Sequence, residues 1–78
     1  MNQEGVVRQV VAELKRVREE KHISQRELAN LTNLSQAGIA HMELGNTTPT
    51  LLFLLSVADA LEVRLHEVIE RASTNIVE

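Results

Sequence analysis

Serine and histidine side chains could supply the nucleophile and the base of a covalent catalyst. They are His22, His41, His66, Ser24, Ser35, Ser56 and Ser73. Covalent catalysis needs a nucleophile, a base and a group that orients the base, and these scattered residues do not form such a set. His66 and Glu70 stand four residues apart, but two ligands without a third do not make a zinc site. Without a phosphate-binding glycine loop as well, we expect no enzyme, no metal and no cofactor.

Length and composition restrict the fold class. The chain has 78 residues, 44% of them hydrophobic, with one aromatic residue and no cysteine. A chain of this size supports one small domain, and its stability must come from aliphatic side chains packed between helices. No signal-peptide pattern is present, and no apolar run approaches the roughly 20 residues that span a bilayer. These features predict a single all-α domain over residues 1–78, in the cytoplasm and without a membrane.

The net charge of −3 is unevenly distributed. Acidic residues exceed basic residues only after Pro49, whereas the preceding part of the chain is balanced. Between Lys15 and Arg26 bases outnumber acids. This segment could therefore form an electropositive surface on an acidic protein, and an ordinary solvated face is the alternative.

Apolar residues at spacings of three and four predict five helices. The first covers about residues 3–21. The second begins at Ser24, which with Glu27 has the spacing of a capping box. The third has Ser35 as N-cap, and Gly45 can end it in the left-handed conformation.

The fourth helix is predicted to have Thr48 as N-cap and Pro49 as its first residue, where a missing N–H does no harm. Its predicted core stripe consists of Leu51, Leu54, Leu55, Ala58 and Leu61. The fifth helix covers about residues 65–72, and residues 72–78 form a C-terminal tail.

The link between the second and third helices predicts a helix-turn-helix at residues 24–44. Only residues 32–34 separate the two helices, which suits a sharp corner. Asn33 tolerates the positive φ that such a corner needs, and Ala29 is small enough for the helices to cross closely. Ile39 then packs inside the angle.

The stretches SQRELANLTNLSQAGIAHMELG and PTLLFLLSVADALEV resemble the phage repressor and Cro-like helix-turn-helix family. The matching positions are Ser24, Gln25, Glu27, Leu28, Ala29, Ser35, Ile39, Glu43, Gly45 and the P-x-L…L…VA-x-AL pattern of residues 49–61. The likeness extends from about Val6 to Ile69. It implies a compact five-helix, lambda-repressor-like DNA-binding domain.

The resemblance also implies the residues that meet double-stranded DNA. The third helix would lie in the major groove, where its outward face reads the bases. The base-reading residues would be Gln36, Ala37, Ala40 and His41. Glutamine can pair with adenine through two hydrogen bonds, and alanine can contact a thymine methyl group. The residues contacting phosphate would be Gln25, Arg26, Ser35, Arg16, Lys21, Asn46 and Thr47.

Arg18 and Glu43 occupy the places of a structural ion pair in this family. Three other positions depart from the family, because His22, Asn33 and Glu62 stand where glycine is common at helix ends. The loop GNTTPT lacks the basic residues that relatives often place beside DNA. We therefore expect modest affinity for each protomer.

The run LLFLL at residues 51–55 carries more apolar surface than one helix face can bury. A central helix covered by the first and fifth helices is one explanation. We favour a homodimer, because a twofold pair of helix-turn-helix modules doubles the contacts to DNA. Its predicted interface consists of Leu52, Phe53, Leu55, Val68 and Ile69, with a contribution from the tail.

Together these features predict a sequence-specific transcriptional regulator that binds a palindromic operator as a homodimer. One alternative is the antitoxin of a toxin–antitoxin pair, which would bind a protein partner as well. The other is a helical protein-interaction module that has kept the fold and no longer binds DNA. The acidic C-terminal part and the neutral loop after the third helix favour this second alternative.

Overall fold

Five α-helices form the part of the chain, residues 2–74, that this computed structural model describes. They are α1 (Gln3–Glu20), α2 (Gln25–Thr32), α3 (Gln36–Leu44), α4 (Leu51–Ala60) and α5 (Leu65–Thr74). The predicted all-α, five-helix fold is confirmed. The last helix is two residues longer than predicted, and residues 75–78 of the predicted tail lie outside the described residues. Among the described helices, none has the combination of length and hydrophobicity that a bilayer-spanning segment requires.

Polar side chains cap the first turns of four helices. Asn2 caps α1, and Ser24 forms the predicted reciprocal capping box with Glu27 at the start of α2. The predicted cap of α4 was wrong. Thr50 is the N-cap, since its hydroxyl accepts a hydrogen bond from the Phe53 N–H at 3.0 Å. Thr48 and Thr50 both carry a hydroxyl that can cap a helix, which is why the sequence did not distinguish them. Because the structure uses Thr50, Pro49 precedes the helix and is not its first residue.

The turns after α1 and α4 have the same backbone geometry. His22 has φ 57° and Glu62 has φ 60°, both in the left-handed region. In each turn the next residue forms a hydrogen bond to a carbonyl five positions earlier: the Ile23 N–H donates to the Arg18 carbonyl at 3.1 Å, and the Val63 N–H donates to the Ala58 carbonyl at 3.0 Å. Both are Schellman motifs, which usually place glycine at the left-handed position. This geometry therefore imposes backbone strain on a glutamate.

The core is an aliphatic cluster to which every helix contributes. Its buried residues are Val10, Val11, Leu14, Val17, Leu28, Ala29, Ile39, Met42, Leu54, Val57, Ala58, Leu61, Leu65, Val68 and Ala72. The predicted stripe of α4 was partly wrong, because Leu51 and Leu55 are exposed and Val57 is fully buried in their place. Two overlapping apolar rows run along LLFLLSVADAL, and only the row from Leu54 to Leu61 faces the core.

Candidate nucleic-acid interface

The corner between α2 and α3 is held by packing and by local hydrogen bonds. Asn33 has φ 61°, as the helix-turn-helix requires. The Thr32 hydroxyl donates to the Leu28 carbonyl at 2.8 Å and accepts from the Leu34 N–H at 3.2 Å, which ties the end of α2 to the turn. Sequence reasoning missed this role of Thr32, although a threonine in the last turn of a helix often bonds backward in this way. Ile39 is fully buried inside the angle.

Helix α3 has one buried side and one exposed side. Ile39 and Met42 belong to the core. The four residues predicted to read bases share the opposite side, with Gln36, Ala37 and His41 exposed and Ala40 half-buried. Their spacing of one, four and five positions places them on adjacent turns of a single face. The exposed surface of this helix therefore combines small apolar side chains with one amide and one imidazole.

The first turn of α3 lies close to the Phe53 ring of α4. Ser35 caps the helix by accepting from the Gly38 N–H at 2.9 Å, and its own O–H remains able to donate to a phosphate. A Cβ added to Gly38 would lie 3.0 Å from the Ser35 hydroxyl oxygen and 3.5 Å from the Phe53 ring. Gly38 therefore leaves room for both the cap and the ring. Phe53 is half-buried here against the core.

A buried ionic network joins α1, α2 and α3. The Arg18 guanidinium donates to both carboxylate oxygens of Glu43, with Nε 2.6 Å from Oε2 and Nη2 2.9 Å from Oε1. Its Nη1 also donates to the Ile23 carbonyl at 2.7 Å, beyond the end of α1. Gln25 Nε2 donates to Glu43 Oε1 at 2.9 Å. The carboxylate thus holds the end of α3 against the start of α2.

The charge state of this network follows from its surroundings. Burial alone would raise the pKa of Glu43, but hydrogen bonds from Arg18 and Gln25 outweigh it and keep the pKa below the ordinary value. The hydrogen bond to Glu43 raises the pKa of Arg18. Glu43 is therefore ionised when folded, and its negative charge is balanced within the protein. Gln25, which was predicted to contact phosphate, also has this internal partner, and sequence reasoning did not detect it.

The other predicted phosphate-contacting residues have different surroundings. Lys21 and Arg26 are exposed near the start of α2, and Asn46 and Thr47 are exposed in the loop after α3. Arg16 lies on the outer surface of α1, where its guanidinium forms ion pairs with Glu13 and Glu20. Two carboxylates thus compete with any phosphate for Arg16.

The residues predicted to form a dimer interface are only partly available for one. Leu52 is 74% exposed, and Leu55 and Ile69 are also exposed. Val68 was wrongly included, because it is 0% exposed and packs in the core of its own chain. An open groove of about 580 Å³ runs between α4 and α5, with Leu51, Leu55, Arg64, Leu65, His66 and Ile69 along it. Leu51, which was predicted to be buried, therefore joins this apolar surface.

Two further leucines are exposed within the helix-turn-helix. Leu31 is 62% exposed on α2, and Leu44 is 69% exposed at the end of α3. The sequence offered a signal for Leu44, because it follows the buried Met42 by two positions and so falls on another face of the helix. Across residues 2–74, no three histidine, aspartate or glutamate side chains are grouped as metal ligands.

Comparison with known proteins identifies the family. The family model described as helix-turn-helix matches residues 14–68, which is more than two thirds of the chain. The match includes the α2–α3 corner, the Arg18–Glu43 pair and the turn after α4. Neither curated proteins nor solved structures gave a match. The chain therefore belongs to the phage repressor and Cro-like helix-turn-helix family, whose members are DNA-binding regulators and typically not enzymes.

Proposed function

We propose that this protein is a sequence-specific transcriptional regulator that inserts α3 into the major groove of a palindromic operator. The observation that carries the proposal is the exposed face of α3, where Gln36, Ala37 and His41 project from a helix fixed by the core and by Glu43. Small alanines let the helix approach the base edges closely. A glutamine at its start can recognise adenine by two hydrogen bonds.

Phosphate contacts would fix the position of α3 without reading sequence. The exposed Lys21 follows the last residue of α1, and the exposed Arg26 lies in the first turn of α2. The backbone N–H groups of this first turn attract anions. Asn46 and Thr47 can donate hydrogen bonds to phosphate from the other end of α3. Because these side chains are neutral, they release no counterions, and the loop adds little to the electrostatic part of DNA affinity.

Dimerisation would place two such helices on one side of the duplex. The apolar groove formed by Leu51, Leu55 and Ile69, with Leu52 beside it, offers a surface that a second copy can cover. A twofold pair reads two half-sites about 34 Å apart, which is one turn of DNA. Pairing also compensates for the modest affinity expected of one protomer.

Titration with duplex DNA tests this function. Random-sequence duplex at two salt concentrations should show binding that weakens steeply as salt rises, because phosphate contacts release counterions. Selection of bound duplexes from a random pool should then return an inverted repeat. Absence of binding at low salt contradicts the proposal.

The exposed Leu31 and Leu44 favour one second candidate, an antitoxin that holds a protein partner as well as DNA. Both side chains belong to the helices of the helix-turn-helix and lie outside the α4–α5 groove. Leu31→Lys should leave operator binding by an antitoxin intact and weaken binding of the partner encoded by the neighbouring gene.

A further inference from the structure

A cleft follows α1 past the end of α3 and the loop after it. One part, about 400 Å³, lies between Val7 and Arg8 of α1 and residues 45–48 of the loop. The other part, about 350 Å³, lies between Arg8 and Lys15 of α1 and Leu44 at the end of α3. Arg8 and Gly45 border both parts, so we describe them as one α1–loop cleft.

Two cations on this cleft lack an ion-pair partner in the described chain. Among residues 2–74, salt bridges engage Arg16 with Glu13 and Glu20, but none engages Arg8 or Lys15. Arg8 and Lys15 are seven residues apart in one helix, so they share a face about 10 Å apart along its axis. They can therefore contact two separate anionic groups.

The walls of the cleft suit a sugar–phosphate backbone. Val7 and Val11 of α1 and the exposed Leu44 provide apolar surface, and the two cations stand along the same wall. Deoxyribose presents carbon atoms and phosphate presents charge, so such a backbone matches both features. The cleft also borders Asn46 and Thr47, which are already proposed to contact phosphate.

We propose that Arg8 and Lys15 bind DNA phosphates beside the α3 helix, an assignment that rests on the DNA-binding function proposed above. A helix in the major groove has a phosphate backbone on each side of it. The loop after α3 brings no positive charge to this backbone. Helix α1, remote in sequence, supplies that charge across the cleft.

Three acids line the cleft, and two of them limit the strength of this contact. The third, Glu43, interacts electrostatically with Lys15, but its charge is already matched by the ion pair with Arg18. Glu4 and Glu19 line the same cleft, each four residues from one of the cations on the helix. They lower the local positive potential and compete with phosphate. Their removal should therefore strengthen DNA binding, which is the opposite of the effect expected at Arg8 and Lys15.

The salt dependence of DNA affinity tests the assignment. Arg8→Gln and Lys15→Gln should each reduce the slope of log affinity against log salt by about 0.9 per protomer bound, which is about 1.8 for the proposed dimer. Each contact that is lost should make the fall in affinity between 50 and 200 mM salt about threefold smaller. The effect should be equal on operator and random duplex. Glu4→Gln and Glu19→Gln should tighten binding of both duplexes.

Arg71→Gln is the matched control. Arg71 is an exposed arginine on α5 that lines neither part of the cleft and lies 3.7 Å from Glu13 on α1, and its removal changes the net charge by the same amount. It should leave the slope unchanged. If the protein binds DNA and the Arg8 and Lys15 variants keep the wild-type slope, the assignment is wrong and the proposed function stands. If the wild-type chain binds no DNA, both fail together.

Discussion

Arg18 Nε lies 2.6 Å from Glu43 Oε2, which joins the last turn of α1 to the last turn of α3 across 25 positions of sequence. The Arg18 side chain is 10% exposed and that of Glu43 is 3% exposed. A buried pair of this kind adds little net stability over a well-packed apolar pair, but it orients the elements that it joins. Here it sets the angle at which the proposed reading helix projects from the core.

Removing one member of this pair should destabilise the fold strongly. Glu43→Gln leaves the Arg18 guanidinium buried without a counter-charge, and loss of a buried partner costs about 3–5 kcal/mol. Urea denaturation should show a fall in unfolding free energy near the lower end of this range, since Arg18 keeps its bond to the Ile23 carbonyl. Glu13→Gln, at the exposed Arg16 pair, should change it by less than about 1 kcal/mol. Equal effects of the two variants would contradict this account.

The Glu43 carboxylate should make the stability of the fold depend on pH. Its pKa is lower in the folded protein than its ordinary value of 4.5, so folding favours the ionised form. The stability gained in this way is present above pH 4.5 and is lost as pH falls through the folded pKa. Unfolding free energy measured from pH 7 to pH 3 should decrease less steeply for Glu43→Gln than for the wild type. If the unfolding free energy of the Glu43→Gln variant falls with pH as steeply as that of the wild type, other carboxylates cause the acid dependence.

Local signals made much of the helix-turn-helix predictable. The capping box of Ser24, the cap Ser35 and the left-handed Asn33 each depend on a few neighbouring residues, and each is found in the structure. The cap of α4 was not predictable in the same way. Thr48 and Thr50 both carry a suitable hydroxyl, and tertiary packing of the helix decides which of them is used.

Features that join distant segments were the hardest to predict. The row of α4 that faces the core could be resolved only by its neighbours, so Val57 was missed and Leu51 was misplaced. The bond from Gln25 to Glu43 and the cleft that brings Arg8 beside the loop after α3 depend on how α1, α2 and α3 meet. Periodicity within one helix carries no information about these contacts.

The strained turn after α4 should be improved by glycine. Glu62 has φ 60°, a conformation that costs a side chain about 1 kcal/mol and costs glycine none. Glu62→Gly should therefore raise the thermal midpoint and the unfolding free energy by about that amount. Glu70→Gly, inside α5, should lower the unfolding free energy by about 1 kcal/mol through loss of helix propensity. A decrease in both variants would show that the Glu62 turn is not strained.

The α4–α5 groove should govern self-association. Leu55→Lys would place a charge in the centre of the proposed interface, where it would be buried without a partner. The dimer dissociation constant should therefore rise at least about tenfold. Sedimentation equilibrium over a range of concentrations measures this constant. Leu31→Lys, at an exposed leucine outside the groove, should leave it unchanged. A wild-type chain that stays monomeric at all concentrations, with and without operator, would exclude the homodimer.

Gln36 should determine the base preference of the protein at one position of each half-site. Its amide can form two hydrogen bonds with adenine, which corresponds to about 1–3 kcal/mol of discrimination against another base. Gln36→Ala should therefore flatten the preference at a single position of the selected operator and leave the salt dependence of binding intact, because no charge is lost. Asn30→Ala, an exposed polar residue on α2 outside the reading face, should change neither quantity. If selection with Gln36→Ala returns the wild-type operator unchanged, α3 reads DNA through other residues. Replacement of each operator thymine by deoxyuridine would then identify contacts of Ala37 and Ala40 by the affinity lost with each methyl group.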